Sequence, residues 1–154
     1  ATQGVNRLIT CGSISNTLEG ESQLSFNTLS GLFCNNKLRV SSDIRMDGQW
    51  ICAPTALASS GVIPIDCGDG NHFTLTLTGN ASLSNALEKM NGSTYTIQVT
   101  QDGTGGHALT FHASYIWEGG STPVLPTTAG DKYLLKFYSD GSLMYGSTPI
   151  EWQL

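Results

Sequence analysis

The stretch "STYTIQVTQDGTGGHALTF", residues 93–111, decides how this chain folds. Tyr95, Ile97 and Val99 fall on one side of it, and Thr94, Thr96, Gln98 and Thr100 on the other. That period of two is the signature of a β-strand with one dry face. The run "DGTGG" interrupts the alternation, and a glycine-rich run of this kind can cradle a phosphate, ligate a metal or turn the chain between strands. A phosphate loop lies between a strand and a helix and needs a Lys followed by Ser or Thr after its glycines. Here "HALTF" follows, and it again reads as a strand. The run therefore predicts a hairpin turn, with at least one of Gly103, Gly105 and Gly106 at positive φ, where a Cβ is costly.

The same period extends outward on both sides. In "NHFTLTLTGN", Phe73, Leu75 and Leu77 alternate with Thr74, Thr76 and Thr78. "SLSNALEKMNG" breaks the rhythm: Leu83, Leu87 and Met90 recur at helical spacing, Asn85 and Glu88 stand as in a capping box, and Gly92 can end the turn, which predicts one short helix or helical loop. "SYIWEGG" reads as a further strand, and Pro123 and Pro126 keep "STPVLPTTAGD" out of any central strand. "KYLLKFYSDGSLMYG" is a hairpin signal, with Asp-Gly between two apolar runs, and "TPIEWQL" closes the chain. The expectation is all-β: an antiparallel β-sandwich or barrel over residues 62–154, a linker at 51–61, and an extended N-terminal β arm at 1–50. In the arm, short apolar pairs such as Leu24/Phe26, Leu38/Val40 and Ile44/Met46 bury little alone and need partners.

With 154 residues, one principal domain is expected. Seven Lys and Arg stand against twelve Asp and Glu, a net charge of −5 that leaves no footprint for a nucleic-acid backbone. The surplus lies entirely after residue 50. No run of about 18 apolar residues offers a membrane span, and the N-terminus lacks the pattern of a signal peptide, so a soluble protein is expected. Its start at Ala1 fits a chain that has lost its initiator Met, and on that reading it is a complete gene product. Cys11, Cys34, Cys52 and Cys67 have no C-x-x-C or zinc-finger spacing and read as isolated buried thiols.

Candidate chemistry is thin. His107 and His112 are five apart, without a third ligand at recognisable spacing, and His72 is remote from both; all three read as surface or turn histidines. "DCGDGN", residues 66–71, lacks the order of a calcium loop and its distal Glu, and reads as a turn. No G-x-S-x-G elbow is present, and nothing selects a catalytic pair from Asp102, Glu118, Asp131 and Glu151. The chain reads as non-enzymatic, with no catalytic, metal or cofactor residues. Tyr115, Trp117, Tyr133, Phe137, Tyr138, Tyr145 and Trp152 cluster near the C-terminus, as core and interface packing or as a stacking platform for sugars.

Residues 70–146 resemble a module of tailed-bacteriophage virion proteins, common at the C-termini of tail fibres. The resemblance rests on "TLTGNASL", "VTQDGTG" followed by "LTF", "WEGGSTPVLPTTAG" and a closing "LKF" strand, in that order. "QLSFNTLSGLFCNNKLRVSSDIRMDG" resembles the shaft repeats of such proteins. The resemblance implies a structural protein of the virion, exposed on the particle and homotrimeric. Its N-terminal arm would hold the major capsid protein or another virion protein, and its surface would be open to a host glycan; neither nucleic acid nor membrane is expected as a partner. The shortness of the chain favours a capsid decoration or cement protein, with a tail-fibre or tailspike tip as the alternative.

Overall fold

Threonine-flanked apolar residues at alternate positions make extended chain, because β-branched side chains are crowded in a helix and fit a pleated surface. A computed structural model describes Asp47, Gln49 and residues 51–152, and in it the alternation becomes strand. The strands are β1 (Thr55–Ala56), β2 (Gly61–Ile63), β3 (His72–Leu77), β4 (Ala81–Leu83), β5 (Asn91–Gln101), β6 (Leu109–Phe111), β7 (Tyr115–Trp117), β8 (Lys132–Asp140), β9 (Met144–Gly146) and β10 (Ile150–Trp152). No α-helix occurs among the described residues, and Glu118–Gly120 form a single 3-10 turn.

Two sheets result. The larger runs β1-β3-β5-β8-β9-β7, with β10 added on β8; the smaller runs β2-β4-β6. All-β architecture with two sheets is as expected, but the strand directions are mixed. From β1 to β6 the chain alternates between the sheets, and each return lays a strand parallel to the one before it: Thr55 beside Phe73, Phe73 beside Ile97, and Gly61 beside Ala81 beside Leu109. These are turns of a parallel solenoid. Antiparallel pairing begins only at β8, which runs against β5 from Asn91/Asp140 to Thr100/Lys132, against β9 and against β10.

Between the sheets lies one apolar cluster. Phe73, Ile97 and Leu135 stand in register across β3, β5 and β8 and face Ile63, Leu83 and Leu109 from the smaller sheet. Each such side chain contributes about 1.5–3 kcal/mol by leaving water. At one end, Phe111, Tyr115, Trp117 and Phe137 pack edge to face, with ring centroids 4.8–5.7 Å apart.

The short helix or helical loop expected over residues 82–92 is absent. In a helix the Leu87 N–H would bond the Leu83 carbonyl, but it donates to the Ile65 carbonyl at 2.8 Å, while Cys67 N–H donates to the Leu87 carbonyl. The segment is thereby drawn out beside residues 63–67, and a parallel bridge joins Asp66 to Leu87. Leu83 and Ala86 are buried, whereas Leu87 and Met90 are exposed, so the apparent helical stripe is not the buried set. Local capping signals lost to the unfilled ladder of β2.

"DGTGG" turns the chain, with Gly105 and Gly106 at positive φ, but it is not a hairpin. β5 and β6 lie in different sheets, and the run is the arch between them. The hairpin expected at "SDGS" is present: Ser139 pairs with Met144, and Gly141 has φ 91°. The arm expected over residues 1–50 lies outside the described residues except for Asp47 and Gln49.

Candidate functional site

Two features in the described residues assemble side chains beyond what packing requires: the arch after β5, and the outer face of the larger sheet. Gln101 ends β5 on its buried side and is only 1 % exposed. A buried amide must find partners, and this one donates from Nε2 to the His107 carbonyl at 2.8 Å and the Pro126 carbonyl at 3.2 Å. Its Oε1 accepts from the His107 N–H. Asp102, next in sequence, accepts at Oδ1 from the Thr104 and Gly105 N–H groups at 2.9 Å and meets His107 Nε2 at 3.0 Å. Gly106 N–H reaches across to the Thr127 carbonyl. Asp102, Thr104, Gly105, Gly106 and His107 are thus tied to one another and, through Gln101 and Gly106, to the Pro-rich loop. Replacing Gln101 by Ala would strand two carbonyls and one N–H, so a loss of about 2 kcal/mol is expected in urea unfolding; Gln101→Glu, which removes the donor, should cost at least as much.

The Asp102 carboxyl is lowered from its ordinary value, first by the Gly105 N–H, then by that of Thr104, with His107 adding to both. Asp140, in the β8–β9 turn, is lowered likewise by the N–H groups of Leu143 and Ser142 and by the Tyr145 hydroxyl. A carboxylate with a lowered folded pKa adds stability that is complete above its unfolded pKa, about 3.9, and is lost as the pH falls through the folded value. Melting temperature should therefore drop below about pH 4. In the Asp102→Asn/Asp140→Asn double variant it should start lower at pH 7 and fall less steeply in acid, as scanning calorimetry across pH 2–7 can measure.

The outer face is laid out by register. Along β8, Lys132, Leu134, Lys136 and Tyr138 alternate with the buried Tyr133, Leu135 and Phe137 and so share the solvent side. Across the strands, Tyr138 stands opposite Thr94 on one flank and Tyr145 on the other, and Tyr145 stands beside Ile116 of β7. Lys136 is opposite Thr96, whose Oγ1 is 2.7 Å from His72 Nδ1. Ile150 and Trp152 of β10 flank Leu134 and Lys132. Ile116, Tyr138, Tyr145, Ile150 and Trp152 are each between 40 and 47 % exposed. The Tyr138 and Tyr145 rings are 6.5 Å apart, and the Tyr145 hydroxyl donates to Asp140 Oδ2 at 2.9 Å, which fixes that ring on the sheet and raises its pKa. A shallow depression opens beside it, lined by Ile116, Trp117, Glu118, Tyr145, Gly146 and Ser147.

The other candidates from the sequence are dispersed. His72 is on β3, His107 in the arch, and His112 beyond β6, where its Nδ1 lies 3.0 Å from Ser114 Oγ. Asp66 accepts from the Gly68 N–H at 2.8 Å, an Asx turn within "DCGDGN". Asp102 is in the arch, Glu118 in the 3-10 turn, Asp131 before β8 and Glu151 in β10, and among the described residues no hydrogen bond joins any two of them. Cys67 is buried, and burial pushes its thiol up to about 11, so it packs as a neutral side chain. Of the aromatics, Tyr115, Trp117, Tyr133 and Phe137 are core, whereas Tyr138, Tyr145 and Trp152 are displayed. Lys132, Lys136 and Ile116 were not singled out from the sequence. The alternation of "KYLLKFY" puts both lysines on the face of Tyr138, but which strands flank that face is not written locally.

Over residues 62–142, from β2 through the β8–β9 turn, the chain matches the model of a bacteriophage protein family, which makes this β module a structural module of the phage virion. The family is described as "Putative phage tail fibre C-terminal domain", and this chain belongs to it. No curated protein and no solved structure matches the chain.

Proposed function

We propose that this chain is the C-terminal part of a bacteriophage tail fibre, a non-enzymatic, homotrimeric protein that presents its β module at the host surface. The observation that supports this reading over a capsid decoration protein is the family match, which spans β3 to β8 of the described β module and is to a tail-fibre domain. A displayed face with exposed aromatic side chains on a rigid sheet fits recognition, since such residues contribute much contact area with little conformational freedom to lose. The N-terminal fifty residues connect the module to the rest of the virion. Quantitative mass spectrometry of purified particles, with immunogold labelling, tests the assignment: a fibre is expected in few copies, at the tail. Hundreds of copies distributed over the head would restore the decoration-protein reading. Light scattering is expected to give three times the chain mass, and a stable monomer would count against the trimer.

A further inference from the structure

We propose that the outer face of β8 and β9 is a binding site for an anionic saccharide, with Tyr138 and Tyr145 stacking on a sugar ring and Lys136 pairing with its carboxylate. The inference rests on the tail-fibre reading for its biological setting, but its chemistry comes from the face itself. Residues 51–154 carry three basic side chains against eight acidic ones, and two of the three, Lys132 and Lys136, lie on this one face. The third, Lys89, is engaged elsewhere, donating to Asn85 Oδ1 and to the Ala86 carbonyl. Among the described residues, neither Lys132 nor Lys136 has an ion pair or a side-chain hydrogen bond. Two unpaired cations are thus concentrated beside aromatic rings on a module whose remaining surface is acidic, and the complement of that pattern is a ligand that is negative and has apolar faces.

A sugar acid has both properties. Its ring presents C–H groups to the electron-rich face of a tyrosine, and its carboxylate takes an ammonium. The spacing is set by the sheet: Lys136 and Tyr138 emerge on the same side about 7 Å apart, and Tyr145 is one strand away, about 5 Å. Tyr145 is held by Asp140, so part of the site is ordered before the ligand arrives. Thr94 and Gln98 lie exposed on the neighbouring strand, where they can meet ring hydroxyls.

The test uses the full chain and two probes, a hexasaccharide of galacturonic acid and the same oligosaccharide with its carboxyls methyl-esterified, followed by amide shifts in NMR. The acid is expected to shift Thr94, Thr96, Lys136, Tyr138 and Tyr145, to bind several-fold more weakly in 0.5 M salt, and to bind better than the ester. Lys136→Gln/Tyr138→Ala is expected to weaken it about tenfold or more with the melting temperature little changed. Lys136→Glu, which reverses the charge without touching the core, should weaken it at least as much as Lys136→Gln. No binding of the acid, equal binding of acid and ester, or shifts confined to another surface would each overturn the proposal. So would a change of oligomeric state in the double variant, which would make this face a subunit contact. A chain found at the tail that binds no uronate sinks this inference alone, and a uronate-binding chain found over the head sinks the tail-fibre reading instead.

Discussion

Gly105→Ala is expected to destabilise the β module by about 3 kcal/mol in urea unfolding, while Gly103→Ala, two residues earlier, changes it by less than about 0.5 kcal/mol. Gly105 has φ 67°, where a Cβ costs roughly 1–2 kcal/mol. A Cβ there would also meet the Ala129 nitrogen at 2.5 Å and the Thr127 carbonyl oxygen at 2.8 Å, both backbone atoms that cannot rotate away. Gly106 separates the two causes, because it has φ 76° but open space where the Cβ would go. Its replacement by Ala should cost about 1 kcal/mol, from conformation alone. Gly103 has neither a positive φ nor a neighbour. The ordered series of three losses reports a glycine retained for close approach of the Pro-rich loop rather than for a ligand. The same melts in the presence of calcium, zinc or phosphate are expected to superimpose on those without, and a ligand-dependent rise lost in Gly105→Ala would show the arch to be a binding loop.

What could be read in the chain follows from how far apart the interacting residues are. β3 and β5 are legible because each has one wet and one dry face, so Phe73/Leu75/Leu77 and Tyr95/Ile97/Val99 announce themselves through neighbours two residues away, whereas β8 reads only as an apolar run because Leu134 and Tyr138 stand on its outer face. The Asp140–Gly141 turn is legible for the same reason, since its two strands are adjacent in sequence and its carboxylate caps its own loop at Ser142 and Leu143.

Strand direction was not legible. A glycine-rich turn looks alike whether the chain returns within one sheet or passes to the other, and only the distant partners of β5 and β6, which are β3, β8 and β4, decide for an arch. The misjudged helix at Leu83–Gly92 has the same origin: its capping pattern is local, whereas the Ile65 carbonyl that claims the Leu87 N–H is 22 residues away. The candidate face was half legible. Lys136 and Tyr138 share a side by simple alternation, but Tyr145 and Ile116 join them through pairings of β9 with β8 and β7 that no short-range pattern encodes.

Phe137 and Tyr138 provide the sharpest test of which side of β8 is core, because adjacent residues on a strand point to opposite faces and a one-residue slip would exchange them. Phe137 is 2 % exposed, and its ring centroid is 5.3 Å from those of both Tyr115 and Trp117. Gly146 leaves the space the rings occupy, since a Cβ there would lie 2.7 Å from Trp117 and 2.9 Å from Phe137. Phe137→Ala removes the centre of this group and opens a cavity between the sheets, so a loss of about 4 kcal/mol is expected. Against a typical total of 5–15 kcal/mol, that brings the module close to unfolding, with loss of the near-ultraviolet dichroism of Trp117. Phe137→Leu, which refills most of the volume, keeps the variant foldable and should cost about 1–2 kcal/mol. Tyr138→Ala, the neighbouring substitution, should cost less than about 1 kcal/mol, because the side chain is 47 % exposed and its ring packs on that of Tyr145 at the surface. Equal losses at the two positions, or a larger one at Tyr138, would mean that β8 is turned over, with Lys136 and Tyr138 directed into the molecule and no anionic site on its surface.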